Sequence, residues 1–134
     1  MKPTCKSKER QLNDLSGKII GAAIQVHSAL GPGLLESTYE TCPAYELRSQ
    51  NIMAATQVAL PVKYKGVSLD AGYRVDLIIE DSVIVELKSV DSLTQILVAQ
   101  ILAYLKLSRL RLGLLINFNV RQLKEGIKRV VNGF

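Results

Sequence analysis

The stretch DLIIEDSVIVELK, residues 76–88, holds two apolar runs, Leu77-Ile78-Ile79 and Val83-Ile84-Val85, bounded by charges at Asp76, Glu86 and Lys88. Strands this apolar are usually covered on both faces, and a charge buried there is costly unless it is paired or bound to metal. If Glu80-Asp81-Ser82 form a three-residue turn, Ile79 pairs with Val83, Asp76 falls opposite Glu86, and Arg74 falls opposite Lys88. Two carboxylates then converge beside a lysine, which suits a divalent-metal site with an electrophilic or water-orienting amine. A two-residue turn would send Asp76 and Glu86 to opposite faces. The plainer alternative is an ordinary hairpin with Glu86 and Lys88 on its solvated face and Asp76 near an edge. The apolar neighbours weigh against it.

Around this hairpin the chain has 134 residues, 48% hydrophobic and 22% charged, enough for one globular domain with a core. No apolar run approaches the ~18 residues that a bilayer span needs. The N-terminus, MKPTCKSKERQLND, lacks the apolar segment of a secretory signal. Residues 1–13 read as a flexible basic tail and 14–134 as a single domain. Cys5 and Cys42 have no zinc-site or disulfide spacing, so Cys5 is expected exposed, Cys42 buried, and the compartment a reducing cytoplasm. The net charge of +5 fits a polyanionic partner such as nucleic acid, although the tail supplies much of it. Two Phe, five Tyr and no Trp argue against a stacking platform for single strands.

Helical spacing of Leu15, Ile19, Ile20, Ala23, Val26 and Leu30 predicts a first helix that Gly31-Pro32 ends. A second should run from about Leu34 to Gln50, bent at Pro43. Alternation at Val58, Leu60, Val62 and Tyr64 predicts a strand that ends at a Lys65-Gly66 turn. Strands over 72–79 and 82–89, a helix over 93–107, a strand over 112–117 and an amphipathic helix over 121–131 follow. The order is α-α-β-β-β-α-β-α: a mixed four-stranded sheet flanked by helices.

GPGLLESTYE, Gly31 to Glu40, sets Gly33, Glu36 and Tyr39 at the spacing that names the GxxExxY proteins, assigned to the PD-(D/E)XK nuclease superfamily. The chain resembles that family from about Leu15 onward, through GAAIQVHSALGPGLLES, LPVKYKGVSLDAGYRVDLIIEDSVIVELKSV and YLKLSRLRLGLLINFNV. The resemblance implies a restriction-endonuclease-like fold and Mg²⁺- or Mn²⁺-assisted hydrolysis of nucleic-acid phosphodiesters. It makes Asp76 the acid of the first motif half, Glu86 a metal ligand, Lys88 the residue that orients water or stabilises charge, and Glu36 the acid that completes the site. Gln100 matches a polar position facing the site. The chain departs from the family pattern at Leu97, where many members carry histidine, at Gln25, where many carry glutamate, and at Pro43.

Each remaining candidate has a simpler role. His27 has the spacing of a packed helix histidine. Glu36 in a first helical turn gains from the helix dipole without metal. Tyr39, three residues on, packs or hydrogen-bonds. Arg74 neutralises Glu86 or Asp76, or reaches a phosphate. Three functions compete: a metal-dependent nuclease, a catalytically silent nuclease-fold module that binds nucleic acid or a protein partner, and a purely structural assembly protein. A homodimer or partner could supply target recognition that so small a domain lacks. No membrane partner is expected.

Overall fold

The computed structural model describes residues 5–133. Helix α1 spans Cys5–Leu30 and ends where Gly31, at φ 73°, donates its N–H to His27 O at 2.8 Å. Residues 5–13, expected as a tail, therefore continue the helix. Their composition favours helix, and Leu12 and Leu15 pack against the core, so the rod does not stop at Leu15. Residues 1–4 and the side chain of Cys5 lie outside what is described. Helix α2 spans Glu36–Ser49, with Pro43 buried inside it. Cys42 is half-buried against the core.

Strand β1 (Ala54–Ala59) stops before Leu60-Pro61 and is followed by β2 (Val62–Tyr64), so the single strand expected over this region is two. β2 pairs with β3 (Val67–Leu69) as a separate two-stranded ribbon. Lys65 and Gly66 form its turn, both at positive φ (49° and 77°), the conformation of the tightest hairpins. β4 (Arg74–Ile79) and β5 (Val83–Lys88) form the expected hairpin, with Ile79 paired to Val83. Helix α3 (Gln95–Ser108) crosses to β6 (Leu112–Asn117), which lies parallel to β5.

The expected C-terminal helix is instead a 3₁₀ turn at Leu123–Gly126 and a strand, β7 (Ile127–Val131), antiparallel to β6. Leu123, Ile127 and Val130 have helical spacing, but Ile-Lys-Arg-Val-Val is rich in β-branched residues, and the exposed edge of β6 offered it a ladder. The main sheet thus has five strands, in the order β1-β4-β5-β6-β7. It is mixed and flanked by helices, as expected, with one strand more.

Alternation along the central strands sorts the core into two layers. Val83, Val85 and Leu87 of β5 join Leu112, Leu114 and Ile116 of β6 against Ile19, Ala23 and Val26 of α1 and Leu47 of α2. Ile84 and Leu115 point the other way, against Ile101, Tyr104 and Leu105 of α3. Glu86 follows Ile84 at the two-residue period and so belongs to the α3 side. No helix among the described residues is long and apolar enough to cross a membrane.

Candidate active site

The three-residue turn sets the geometry that matters most. Glu80 and Asp81 both sit at φ 52°, and Ser82 N–H returns to Ile79 O at 2.9 Å, closing the hairpin in the register that opposes Asp76 to Glu86. The ladder between β4 and β5 runs from Ile79/Val83 to Leu77/Val85. Beyond it the two strands part: β4 stays paired to β1 through Val75 and Arg74, while β5 stays paired to β6 through Lys88.

At that fork, side chains replace the backbone bonds. Asp76 N–H donates to Glu86 Oε1 at 3.1 Å, and Leu87 N–H donates to Asp76 Oδ2 at 2.9 Å. The opening of the sheet is filled by two carboxylates.

Glu86 is 4% exposed, and its carboxyl is pushed up from its ordinary 4.5 to about 8. Burial is the main cause and the neighbouring Asp76 charge the next, while the Asp76 N–H bond and the Lys88 charge pull the other way. Lys88 Nζ stands 3.9 Å from Glu86 Oε2. One ammonium at the limit of ion-pair distance does not compensate two acids held together in a partly desolvated notch.

The segment after Lys88 is tightly held. Phe118 N–H donates to Lys88 O at 2.9 Å, Ser89 N–H to Glu36 Oε1 at 3.2 Å, and Val90 N–H to Asn117 Oδ1 at 3.1 Å. Asn117 Nδ2 returns to Val90 O at 2.9 Å. Glu36 thus meets the strand end that carries Lys88, from the first turn of α2.

The other predicted site residues divide. Tyr39 is fully buried, stacked on Phe118 with ring centroids 4.3 Å apart. Its hydroxyl donates to Gly31 O at 2.6 Å and accepts Leu34 N–H at 3.1 Å, which closes the loop before α2. Arg74 is turned to Asp70 at 3.5 Å and to Tyr73 O at 2.8 Å, rather than to the acid pair. Asp70, held below the usual range by Gly72 N–H and then by Arg74, is part of that surface turn. Gln100 is exposed on α3, one turn before Tyr104. His27 is buried away from the pair and donates from Nε2 to Val120 O at 2.8 Å. Leu97 packs in the α3 layer.

Two residues were missed. Tyr104 is 6% exposed and packs with Ile84 on the α3 side, the face that Glu86 shares; burial, followed by the Glu86 charge and then Tyr73 and Asp76, raises its phenol above the ordinary value. Its signal was available, since it lies four residues after Gln100 on one helix face. Tyr73 meets it edge-on, with ring centroids 5.8 Å apart. Gln57 lies between Thr56 and Val58, the partners of Leu77 and Val75, and so stands across from Asp76. From φ 49° its Nε2 donates to Glu40 Oε2 at 2.8 Å and to Asp76 Oδ1 at 3.3 Å. Nothing in the sequence announces that backbone conformation.

The donor set fits a hard divalent cation. Asp76 and Glu86 offer carboxylate oxygens, and the buried charge that pushes Glu86 up is what a cation would relieve. Among the described residues no group of three or more His, Cys, Asp or Glu could hold a metal. Mg²⁺ commonly takes one or two carboxylates and fills its remaining positions with water and substrate phosphate.

Comparison with curated proteins and with solved structures found no significant match. A family model describing the PD-(D/E)XK nuclease superfamily matches residues 13–130, from within α1 to within β7. That range includes Glu36, Asp76, Glu86 and Lys88, and the chain belongs to the PD-(D/E)XK nuclease superfamily.

Proposed function

We propose that this protein hydrolyses phosphodiester bonds of nucleic acid with the help of Mg²⁺ or Mn²⁺. The observation that carries the reading is the fork between β4 and β5, where Asp76 and Glu86 face each other with Lys88 next along the strand. Asp76 and Glu86 hold the cation. When bound, such an ion polarises the phosphoryl oxygen and lowers the pKa of the attacking water. Lys88, with its backbone fixed by Phe118, stabilises developing charge or orients water. Glu36 holds the strand end that carries Lys88 from α2, and Gln100 with Tyr104 closes the α3 side. The net charge of +5 suits a phosphate backbone.

The test pairs melting with cleavage. Thermal unfolding in EDTA, Mg²⁺ and Mn²⁺ should show a cation-dependent rise in the wild type that Glu86→Gln lacks, following RT ln(1 + [L]/Kd). Single- and double-stranded DNA and RNA should then be screened, with Lys88→Ala as control. Cleavage lost in Lys88→Ala supports the reading. Cation-dependent melting with no cleavage of any of the four would replace it with a silent nucleic-acid- or partner-binding module.

A further inference from the structure

We infer that Gln57 is a positioning residue for Asp76. The inference rests on Asp76 as a ligand of the proposed cation. The two hydrogens of one amide nitrogen go to two different carboxylates, Glu40 Oε2 at 2.8 Å and Asp76 Oδ1 at 3.3 Å. Both partners are acceptors, so the chemistry itself requires the NH₂, not the carbonyl, to face them. With Leu87 N–H on Oδ2, both oxygens of Asp76 are held. A carboxylate fixed at both oxygens presents its remaining lone pairs in one direction, the usual way in which outer partners orient a metal ligand.

The backbone supports this assignment. Gln57 adopts φ 49°, a conformation that residues other than Gly, Asn and Asp seldom take, and it is the only positive-φ residue within β1. Such strain persists where the surrounding structure over-determines it, and it clusters at functional sites. Here it coincides with the position opposite Asp76. Glu40 anchors the amide from α2, one turn beyond Glu36, so the network ties the helix to the metal-facing strand.

The experiment uses the full chain and the variants Gln57→Gly, Gln57→Ala, Gln57→Glu and Glu86→Gln, with Mn²⁺ alone as probe. Both Gly and Ala delete the amide, but only Gly relieves the strain. Gln57→Gly should melt above Gln57→Ala in EDTA, yet both should bind Mn²⁺ about tenfold more weakly than wild type. A purely structural role would make affinity follow melting, with Gly restoring it. Wild-type Mn²⁺ affinity in Gln57→Ala, alongside its loss in Glu86→Gln, overturns the role of Gln57 and leaves the cation site standing. If the wild type binds no Mn²⁺, the proposed cation site fails and the positioning role with it, and the metal-free arm tests the amide bridge alone. Gln57→Glu places a third carboxylate between two others, so it should melt below Gln57→Ala in EDTA at pH 8, and the gap should shrink in an Asp76→Asn background. An equal or higher melting temperature for Gln57→Glu would sink the amide bridge.

Discussion

Asp76 and Glu86 do the work of a missing rung in the sheet: the Glu86 carboxylate accepts the Asp76 N–H, and the Asp76 carboxylate accepts the N–H of Leu87, next to Glu86. Each acid is therefore both a candidate metal ligand and a backbone acceptor. These roles respond differently to substitution.

Replacing Asp76 separates them. Asp76→Ala leaves the Leu87 N–H without its acceptor, which should cost about 1–3 kcal/mol. Asp76→Asn keeps an oxygen for that bond and removes charge repulsion with Glu86, but turns its NH₂ toward the Gln57 amide, so in EDTA it should melt between Asp76→Ala and the wild type. Both should lose cation-dependent stabilisation. Chemical denaturation with and without Mn²⁺ checks all four numbers.

Stability should depend on pH through Glu86. Its folded carboxyl is raised to about 8 from 4.5, so between those values the native state holds a proton that the unfolded chain has lost. Stability contributed by this group is then full below about pH 4.5 and falls as pH rises toward 8, by an amount on the order of a few kcal/mol. Glu86→Gln removes the titration. In EDTA its melting temperature should be near that of the wild type at pH 5 and above it at pH 8. A bound cation displaces the proton, so the benefit of Mn²⁺ to the wild type should grow over the same range.

Lys88 should matter to turnover more than to folding. Its amine makes one weak ion pair, 3.9 Å from Glu86, whereas its carbonyl is what Phe118 uses. Lys88→Met keeps the apolar stem and should lower cleavage by about 10²–10³. Melting and Mn²⁺ binding should change little. A loss of fold in this variant would contradict the assignment.

Gly126 should prove intolerant although it lies outside the acid pair. A Cβ there would overlap the Asn117 carbonyl oxygen and crowd Val120 Cγ2 at 3.1 Å. Gly126→Ala should cost about 1–3 kcal/mol or more. Asn117 also pins Val90 just past Lys88, so cleavage should fall further than the lost stability explains. By contrast, a Cβ on Gly113 meets a side-chain tip, Ile101 Cδ1 at 2.8 Å, rather than backbone, so Gly113→Ala should be milder although Ile101 is fully buried.

The acid pair was legible because hairpin register follows from a single choice, the length of the turn at Glu80-Asp81-Ser82, and alternation then fixes every partner. The first two helices and the crossover helix α3 were legible from apolar spacing. Where spacing was ambiguous the reading failed. Ile127, Val130 and Val131 satisfy a helical face as well as a strand, and only the free edge of β6 decides between them. Arg74 was placed beside the acids by register, but Asp70 lies nearer and takes it. Gln57 was invisible for a different reason: it reaches Asp76 from a left-handed backbone conformation, for which glutamine carries no signal.

The fork in the sheet also determines how the proposed activity would be lost. Discarding Asp76 or Glu86 breaks hydrogen bonds that hold β4 to β5, so drift at these positions is penalised even in a chain that cleaves nothing. Drift at Lys88 carries little such penalty, because its side chain supports almost nothing else. Intact acids in a related sequence therefore testify mainly to the architecture, whereas an intact lysine testifies to selection for chemistry.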